Sequence, residues 1–113
     1  MLLSTTDNLE GFMITGYLGI VVGQAVIGED MTKNFHTGIR NMSAGGRHDY
    51  AAELARARQQ ATDDLVETAG DLGADAVVGI AFDFETSGEA SHHVILSIVG
   101  TAVTLRREAG LPG

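Results

Sequence analysis

Residues 72–80 read Leu-Gly-Ala-Asp-Ala-Val-Val-Gly-Ile, a glycine followed at once by a short apolar run. Upstream, from Asp49 onward, apolar side chains recur in steps of three and four, which predicts an amphipathic helix. Gly73 is the expected residue just beyond the helix C-terminus, where a left-handed backbone favours glycine. The apolar run predicts a strand over residues 75–86. A long helix is therefore expected to turn directly into a strand.

The apolar stripe of this helix is narrow and rich in alanine. Small side chains let a helix approach its neighbour closely, so we expect tight packing against a sheet. Asp49 is the expected N-cap, because its side chain can accept hydrogen bonds from the free amides of the first turn. The stripe consists of Tyr50, Leu54, Ala57, Ala61, Leu65, Ala69 and Leu72.

A second apolar run, residues 12–27, contains several glycines and β-branched residues. Gly19 and Gly23 form a GxxxG pair, which can mark a membrane helix. The run is shorter than the ~20 residues that a bilayer-spanning helix needs. We therefore expect a long strand bent at its glycines. A shorter amphipathic helix is predicted over residues 30–43, from apolar residues at helical spacing.

The two C-terminal apolar segments differ in their patterns. Alternation over residues 75–86 predicts an acidic face with Asp83 and Glu85, and an apolar face with Ala76, Val78, Ile80, Phe82 and Phe84. The run from His92 to Leu105 is apolar on both faces, and burial of both faces in so small a domain implies a partner chain. The residues expected at a subunit interface are Arg58, Val94, Leu96 and Ile98.

Composition bounds the function of this chain of 113 residues. We expect one domain over residues 1–107 and a flexible tail over residues 108–113. The absence of cysteine excludes disulfides, thiolate zinc sites, iron–sulfur clusters and cysteine nucleophiles. A net charge of −8 argues against nucleic-acid and anionic-membrane partners. Without a recognisable signal peptide, a cytoplasmic location is expected.

Charge is unevenly distributed along the chain. Five of the seven Lys and Arg residues fall between positions 33 and 58, whereas residues 59–105 hold eight acids and no Lys or Arg. Opposite patches on one molecule favour self-association. We therefore expect the chain itself as its main partner.

Asp83 and Glu85 are the candidate metal ligands. Two positions apart on one strand face, their Cα atoms lie ~6.6 Å from each other. Carboxylate oxygens suit a hard divalent cation if other groups, such as His92 or histidines of neighbouring subunits, complete the shell. The same pair could serve as an acid/base pair. Alternatively, they form ion pairs with Arg58 or Arg40, within or between subunits.

A candidate anion site precedes the long helix. Arg40, Gly45, Gly46 and Arg47 combine glycine-rich backbone, guanidinium groups and a helix N-terminus, which together attract anions. Asp49 counts against this site because it would occupy the first free amides. The alternative is a structural loop. The sequence shows no nucleophile–base–acid arrangement, so an enzyme is the less expected reading.

Several motifs occur in a fixed order: Ser4-Thr5-Thr6, Gly38-Ile39-Arg40-Asn41, Gly45-Gly46-Arg47, residues 72–80, Asp83-x-Glu85 and Gly100-Thr101-Ala102-Val103. Over roughly residues 3–106 the chain resembles the YbjQ-like family, small proteins often labelled heavy-metal-binding. The resemblance implies an α+β subunit related to the dodecin subunit, assembled into a ring that is usually a pentamer. The chain departs from the family pattern at two positions. Ala51 stands where the family commonly has an acid, and Phe84 stands where tyrosine is common.

Together these observations predict an α+β fold, a small antiparallel sheet with a long helix packed on it, assembling into a ring. The leading functional hypothesis is a cytoplasmic homo-oligomer, a pentamer or a multiple of five, that binds a small ligand or acts as a scaffold. The alternative is a metal-ion-binding protein using Asp83 and Glu85 with histidines from neighbouring subunits, and a divalent metal ion is then the expected cofactor.

Overall fold

The computed structural model describes residues 1–27, 47–86 and 94–109, and side chains of the second range from residue 51 onward. Within these ranges one helix packs on a four-stranded sheet of order β1-β3-β4-β2. The predicted α+β fold is confirmed, and a short parallel β1–β3 pair makes the otherwise antiparallel sheet mixed. The elements are β1 (Leu2–Leu3), β2 (Phe12–Ile27), α1 (Arg47–Asp71), β3 (Ala76–Thr86) and β4 (Val94–Arg107).

Helix α1 ends as its sequence predicts. Gly73 adopts a φ of 82°, a left-handed conformation that glycine enters without a Cβ penalty. The amide of Ala74 donates to the Ala69 carbonyl at 3.1 Å, and the amide of Gly73 donates to the Gly70 carbonyl at 3.0 Å. This pair of bonds is a Schellman motif, which satisfies carbonyls that the helix leaves free.

The sequence predicts that the helix begins near Asp49, and the structure describes it from Arg47. Asp49 lies inside the helix, so its predicted role as the N-cap is wrong. Apolar periodicity identifies a helix but does not fix its first residue, and helix boundaries are the least certain part of such a reading.

The alanine-rich stripe of α1 is buried against β2 and β4. Leu65 is fully buried, as are the alanines on either side of it in the stripe. Close approach depends on Gly23 of β2, where an added Cβ would lie 2.0 Å from the Ala61 carbonyl oxygen. Leu72 is 47% exposed, contrary to the prediction, because it lies beyond the last helical residue where the chain turns towards β3.

A bulge in β3 changes which side chains share a face. The register with β4 shifts between Val78 and Ala81, and Gly79 has a φ of 63°. An extra residue at a bulge reverses the alternation beyond it. Ile80 therefore joins Val77 in the core under α1, whereas Val78 packs on the opposite face. The prediction that Ala76 and Val78 share a face with Ile80 is wrong, since strict alternation assumes an unbroken ladder.

Strand β2 is the long bent strand expected from its sequence. Its register with β4 shifts between Ile14 and Gly16 and again between Tyr17 and Gly19. Of the helices in the described part of the chain, none is long and apolar enough to cross a membrane. The Cα radius of gyration is 17.9 Å, against about 13 Å expected for a compact domain of this length. The subunit is elongated, which leaves more of its sheet uncovered.

Some sequence predictions lie outside the described residues. These are the short helix over residues 30–43, His92, and the tail from residue 110 onward. The start of the predicted tail is held to the turn before β2, since the amide of Glu108 donates to the Gly11 carbonyl at 3.1 Å.

Candidate functional site

The side of the sheet opposite α1 carries an exposed apolar surface, which we call the reverse face. Cross-strand partners share a face of a sheet, and here Val22 pairs with Val99 and Val26 pairs with Ile95. These side chains lie on the side away from the helix, because the alternate positions of both strands are buried under α1. The exposed fractions are 77% for Ile20, 61% for Val26, 41% for Val22 and 38% for Val99.

Among the described residues, the chain covers one end of the sheet on this side. There Ala76, Val78 and Val103 are buried, with Leu9 of the N-terminal segment packed against them. Towards the other end, none of the described residues forms a second layer over the reverse face. A sheet normally places polar side chains on a surface that stays in water. The valines and isoleucines of the reverse face depart from that pattern.

Asp83 and Glu85 lie at the edge of the reverse face. Asp83 is directly opposite Ser97 on β4, and Glu85 is opposite Ile95. Both carboxylates are exposed and make no hydrogen bond or ion pair with any described residue. Beside them, the side-chain nitrogen Nε2 of Gln24 donates to the Ser97 hydroxyl at 3.2 Å.

A second uncovered surface lies on the helix side of the sheet, and we call it the α1–β3 groove. Helix α1 lies over β2 and β4 and barely touches β3, so among the described residues the end of β3 stays exposed. Phe82 is 48% exposed and Phe84 is 53% exposed. The groove encloses about 420 Å³ and is lined by Ala51, Leu54, Arg58, Phe82 and Phe84.

Arg58 is the cation that borders this groove. It forms no ion pair with any residue that the structure describes, whereas the neighbouring Arg56 contacts the Glu53 carboxylate at 3.0 Å. Asp83 and Glu85 point to the opposite side of the sheet, so the structure does not join them to Arg58 within one chain. The alternative partner named from the sequence, Arg40, lies outside the described residues.

The structure distributes the expected interface residues differently from the sequence analysis. Leu96 and Ile98 are buried beneath α1 in the core of the subunit, and Val94 is half-buried beside them. These side chains pack inside the subunit, because the even-numbered positions of β4 face α1. Among the described residues, the side chains of β2 and β4 that stay exposed include Ile20, Val26 and Val99 of the reverse face. Sequence reasoning applied the two-sided apolar pattern to β4 but did not extend it to β2, where Ile20 and Val26 carry the same signal.

The predicted anion and metal sites are only partly described. Arg40, Gly45 and Gly46 lie outside the described residues, and of Arg47 only the backbone at the start of α1 is described. His92 also lies outside them. Within residues 1–27, 51–86 and 94–109, no three His, Asp or Glu side chains cluster as a metal site would require. Any full coordination shell at Asp83 and Glu85 must therefore recruit further ligands.

Known proteins match this chain over most of its length. The sequence model of the YbjQ family, described as "putative heavy-metal-binding", matches residues 1–106. Among solved structures, the chain resembles a protein of unknown function from Pediococcus pentosaceus that is assigned to the DUF74 family. The two chains are 13% identical and superpose with a TM-score of 0.61, over 94% of this chain and 98% of the other. At this identity the likeness supports the fold alone.

Proposed function

Since this chain belongs to the YbjQ family, whose description names a class of ligand and no reaction, we propose its function from the surfaces that its described residues leave exposed. The protein is a homo-oligomeric ring, a pentamer or a multiple of five, that binds a small ligand or serves as a scaffold. The subunit number follows the family resemblance, and the cytoplasmic location expected from the sequence stays a prediction.

The observation that carries this proposal is the exposed apolar reverse face. Contiguous exposed apolar surface is typical of interaction sites, because water contact with such a surface is unfavourable. Val22 and Val99 form a cross-strand pair at its centre, and Val26 with Ile95 extends it towards the end of β4. A second copy of the chain would remove these side chains from water. The split charge of the sequence also favours self-association.

The first test is the subunit number of the wild-type protein and of two reverse-face variants. Native mass spectrometry and light scattering at micromolar concentration should show a ring for the wild type. Ile20→Glu and Val26→Glu place a charge on the reverse face, and both should dissociate the ring while circular dichroism stays unchanged. Ala52→Glu adds the same charge at an exposed position of α1 outside the groove lining and should leave the ring intact. A monomeric wild type would refute the proposal.

A second candidate function is metal-ion binding at Asp83 and Glu85. It is favoured by two exposed carboxylates on one strand face, without partners among the described residues, and by the family description. The donors are hard oxygen atoms and the chain has no cysteine, so the fitting ion is Ca²⁺, Mg²⁺ or Mn²⁺ rather than a thiophilic heavy metal. Histidines or carboxylates of neighbouring subunits would complete the shell.

Metal uptake tests this candidate directly. Isothermal titration with Mn²⁺, combined with elemental analysis after desalting, should give stoichiometric binding per subunit or per ring. Asp83→Ala should abolish that binding, measured at a protein concentration at which native mass spectrometry shows the variant still assembled. Asp7→Ala, an exposed carboxylate in the N-terminal segment, is the matched control. Unchanged uptake by Asp83→Ala would remove this pair from the candidate site.

A further inference from the structure

We infer that the subunits of the proposed ring contact each other head to tail: the reverse face of one copy packs on the α1–β3 groove of the next. In this contact Asp83 and Glu85 face Arg58 of the partner subunit. The inference rests on the proposed self-association, and it specifies which surfaces meet and which charges pair.

The two surfaces lie on opposite sides of the same piece of β3. Phe82 pairs with Ile98 and so points to the helix side, whereas Asp83 pairs with Ser97 and points to the reverse side. A second copy resting on the groove with its reverse face would therefore bring its own β3 carboxylates over the aromatic side chains and Arg58. The carboxylates and Arg58 therefore lie on opposite surfaces of one copy, as a contact between two different surfaces requires.

Charge selects this arrangement over a two-fold contact. An isologous contact through the reverse face would set Asp83 and Glu85 near the same carboxylates of the partner, and an isologous contact through the groove would set Arg58 near its own copy. Like charges facing each other across an interface disfavour association. A head-to-tail contact instead places a guanidinium without a described partner against carboxylates without described partners.

The apolar parts of the two surfaces are also complementary. The groove offers two half-exposed phenylalanine rings and Leu54, and the reverse face offers β-branched side chains. Aromatic anchors buried at the centre of an interface carry much of its binding energy, and charged groups at the rim set orientation. Since the contact joins two different surfaces, it repeats from copy to copy, and it forms a ring when the rotation between neighbouring copies closes.

Charge reversal tests the pairing. Arg58→Glu should weaken assembly at least tenfold by native mass spectrometry, and the double variant Asp83→Lys/Glu85→Lys should do the same. The matched control is Arg56→Glu, which makes the same charge change on the exposed surface of α1 next to Glu53 and should retain the wild-type ring. Circular dichroism verifies that each variant is folded.

Recombination of the reversed charges distinguishes pairing from general damage. The triple variant, with all three charges reversed, should regain homo-oligomers and should form no mixed rings with ¹⁵N-labelled wild type. If the triple variant fails to fold, the two partial variants are mixed instead. Each should be monomeric alone, and together they should form mixed oligomers, because only junctions between unlike variants pair opposite charges. In a five-membered ring the two chains would occur in a ratio of 3:2.

The outcomes separate this inference from the proposal beneath it. If Arg58→Glu retains the wild-type ring while Ile20→Glu dissociates it, the ring stands and the head-to-tail charge pairing is refuted. Free exchange of the triple variant into wild-type rings would refute it as well. A monomeric wild type would refute the ring itself.

Discussion

The two faces of the sheet are built from similar residues but have different fates. On the helix side, Val21, Ala25 and Leu96 are buried to within a few per cent under α1. On the reverse face, Val22 and Val26 of the same strand keep 41% and 61% of their surface exposed. Alternation along β2 therefore supplies two apolar faces, and the described part of the chain supplies a helix for only one of them.

An apolar sequence pattern alone therefore does not bury a surface. The helix side is closed because Gly23 and the alanines of α1 allow the two backbones to approach each other closely. In addition, the side chain of Asp64 in α1 accepts a hydrogen bond from the backbone amide of Gln24 at 3.0 Å. The reverse face has no comparable element within the described chain. Substitutions on the helix side should act on folding, and those on the reverse face should act on assembly.

The largest expected effect is at Gly23, where the backbone of α1 approaches β2 closely. In Gly23→Ala the new Cβ would lie 2.0 Å from the Ala61 carbonyl oxygen and 2.6 Å from the Leu65 amide nitrogen. The helix backbone must move, so we expect a loss of about 3 kcal/mol or more in the free energy of unfolding, at the upper end of overpacking costs. Urea unfolding at fixed protein concentration measures it.

Gly70→Ala is the control for this prediction. Gly70 lies in α1 with nothing within 4 Å of an added Cβ, and alanine is the better helix former by up to about 1 kcal/mol. This variant should be more stable than the wild type. If Gly23→Ala were as stable as Gly70→Ala, the close helix–sheet contact would be wrong.

Next in size is the contrast between Leu65→Ala and Val26→Ala. Leu65 is fully buried against the sheet, and truncation of such a residue costs about 2–5 kcal/mol through lost burial and a cavity. That loss should be the same at all protein concentrations at which the assembly state is unchanged. Val26→Ala should instead lower the melting temperature more strongly in dilute samples, because it weakens association. Equal concentration dependence in both variants would contradict the division between the faces.

A smaller effect is expected at the β3 bulge. An added Cβ at Gly79 has open space around it, so the cost of Gly79→Ala comes from its φ of 63°. We expect a loss of about 1–2 kcal/mol in unfolding free energy, the cost of a left-handed conformation for a residue with a Cβ. Gly79→Asn should lose less, because asparagine tolerates this conformation. Thermal unfolding compares the two, and equal losses would point to a cause other than φ.

The smallest effect should come from the exposed surface of α1, which belongs to neither apolar surface. Arg56→Ala removes an ion pair with Glu53 whose two side chains are 72% and 43% exposed. Exposed pairs of this kind contribute about 0–1 kcal/mol because water and salt screen them. Both stability and subunit number should stay close to wild type. A marked loss of assembly would show that this surface of α1 also takes part in the ring.

Many residues of the candidate site could be predicted from the sequence, but their arrangement in space could not. Asp83, Glu85 and Arg58 were identified by their residue types and by their position next to apolar patterns. Their separation onto opposite sides of the sheet depends on how α1 is placed over β2 and β4. Phe84 likewise reads as a core residue, and only the position of the helix leaves it half-exposed in the groove.

Local chemistry determined the elements themselves. The period of the apolar residues gave α1, Gly73 gave its end, and β-branched runs gave the strands, because side-chain spacing and backbone φ depend on neighbours in sequence. The tertiary structure alone decided the bulge at Gly79, the burial of Leu96 and Ile98 beneath α1, and the exposure of the reverse face among the described residues. These features depend on which helices and strands pack together. An apolar residue in the sequence does not by itself predict which element will cover it.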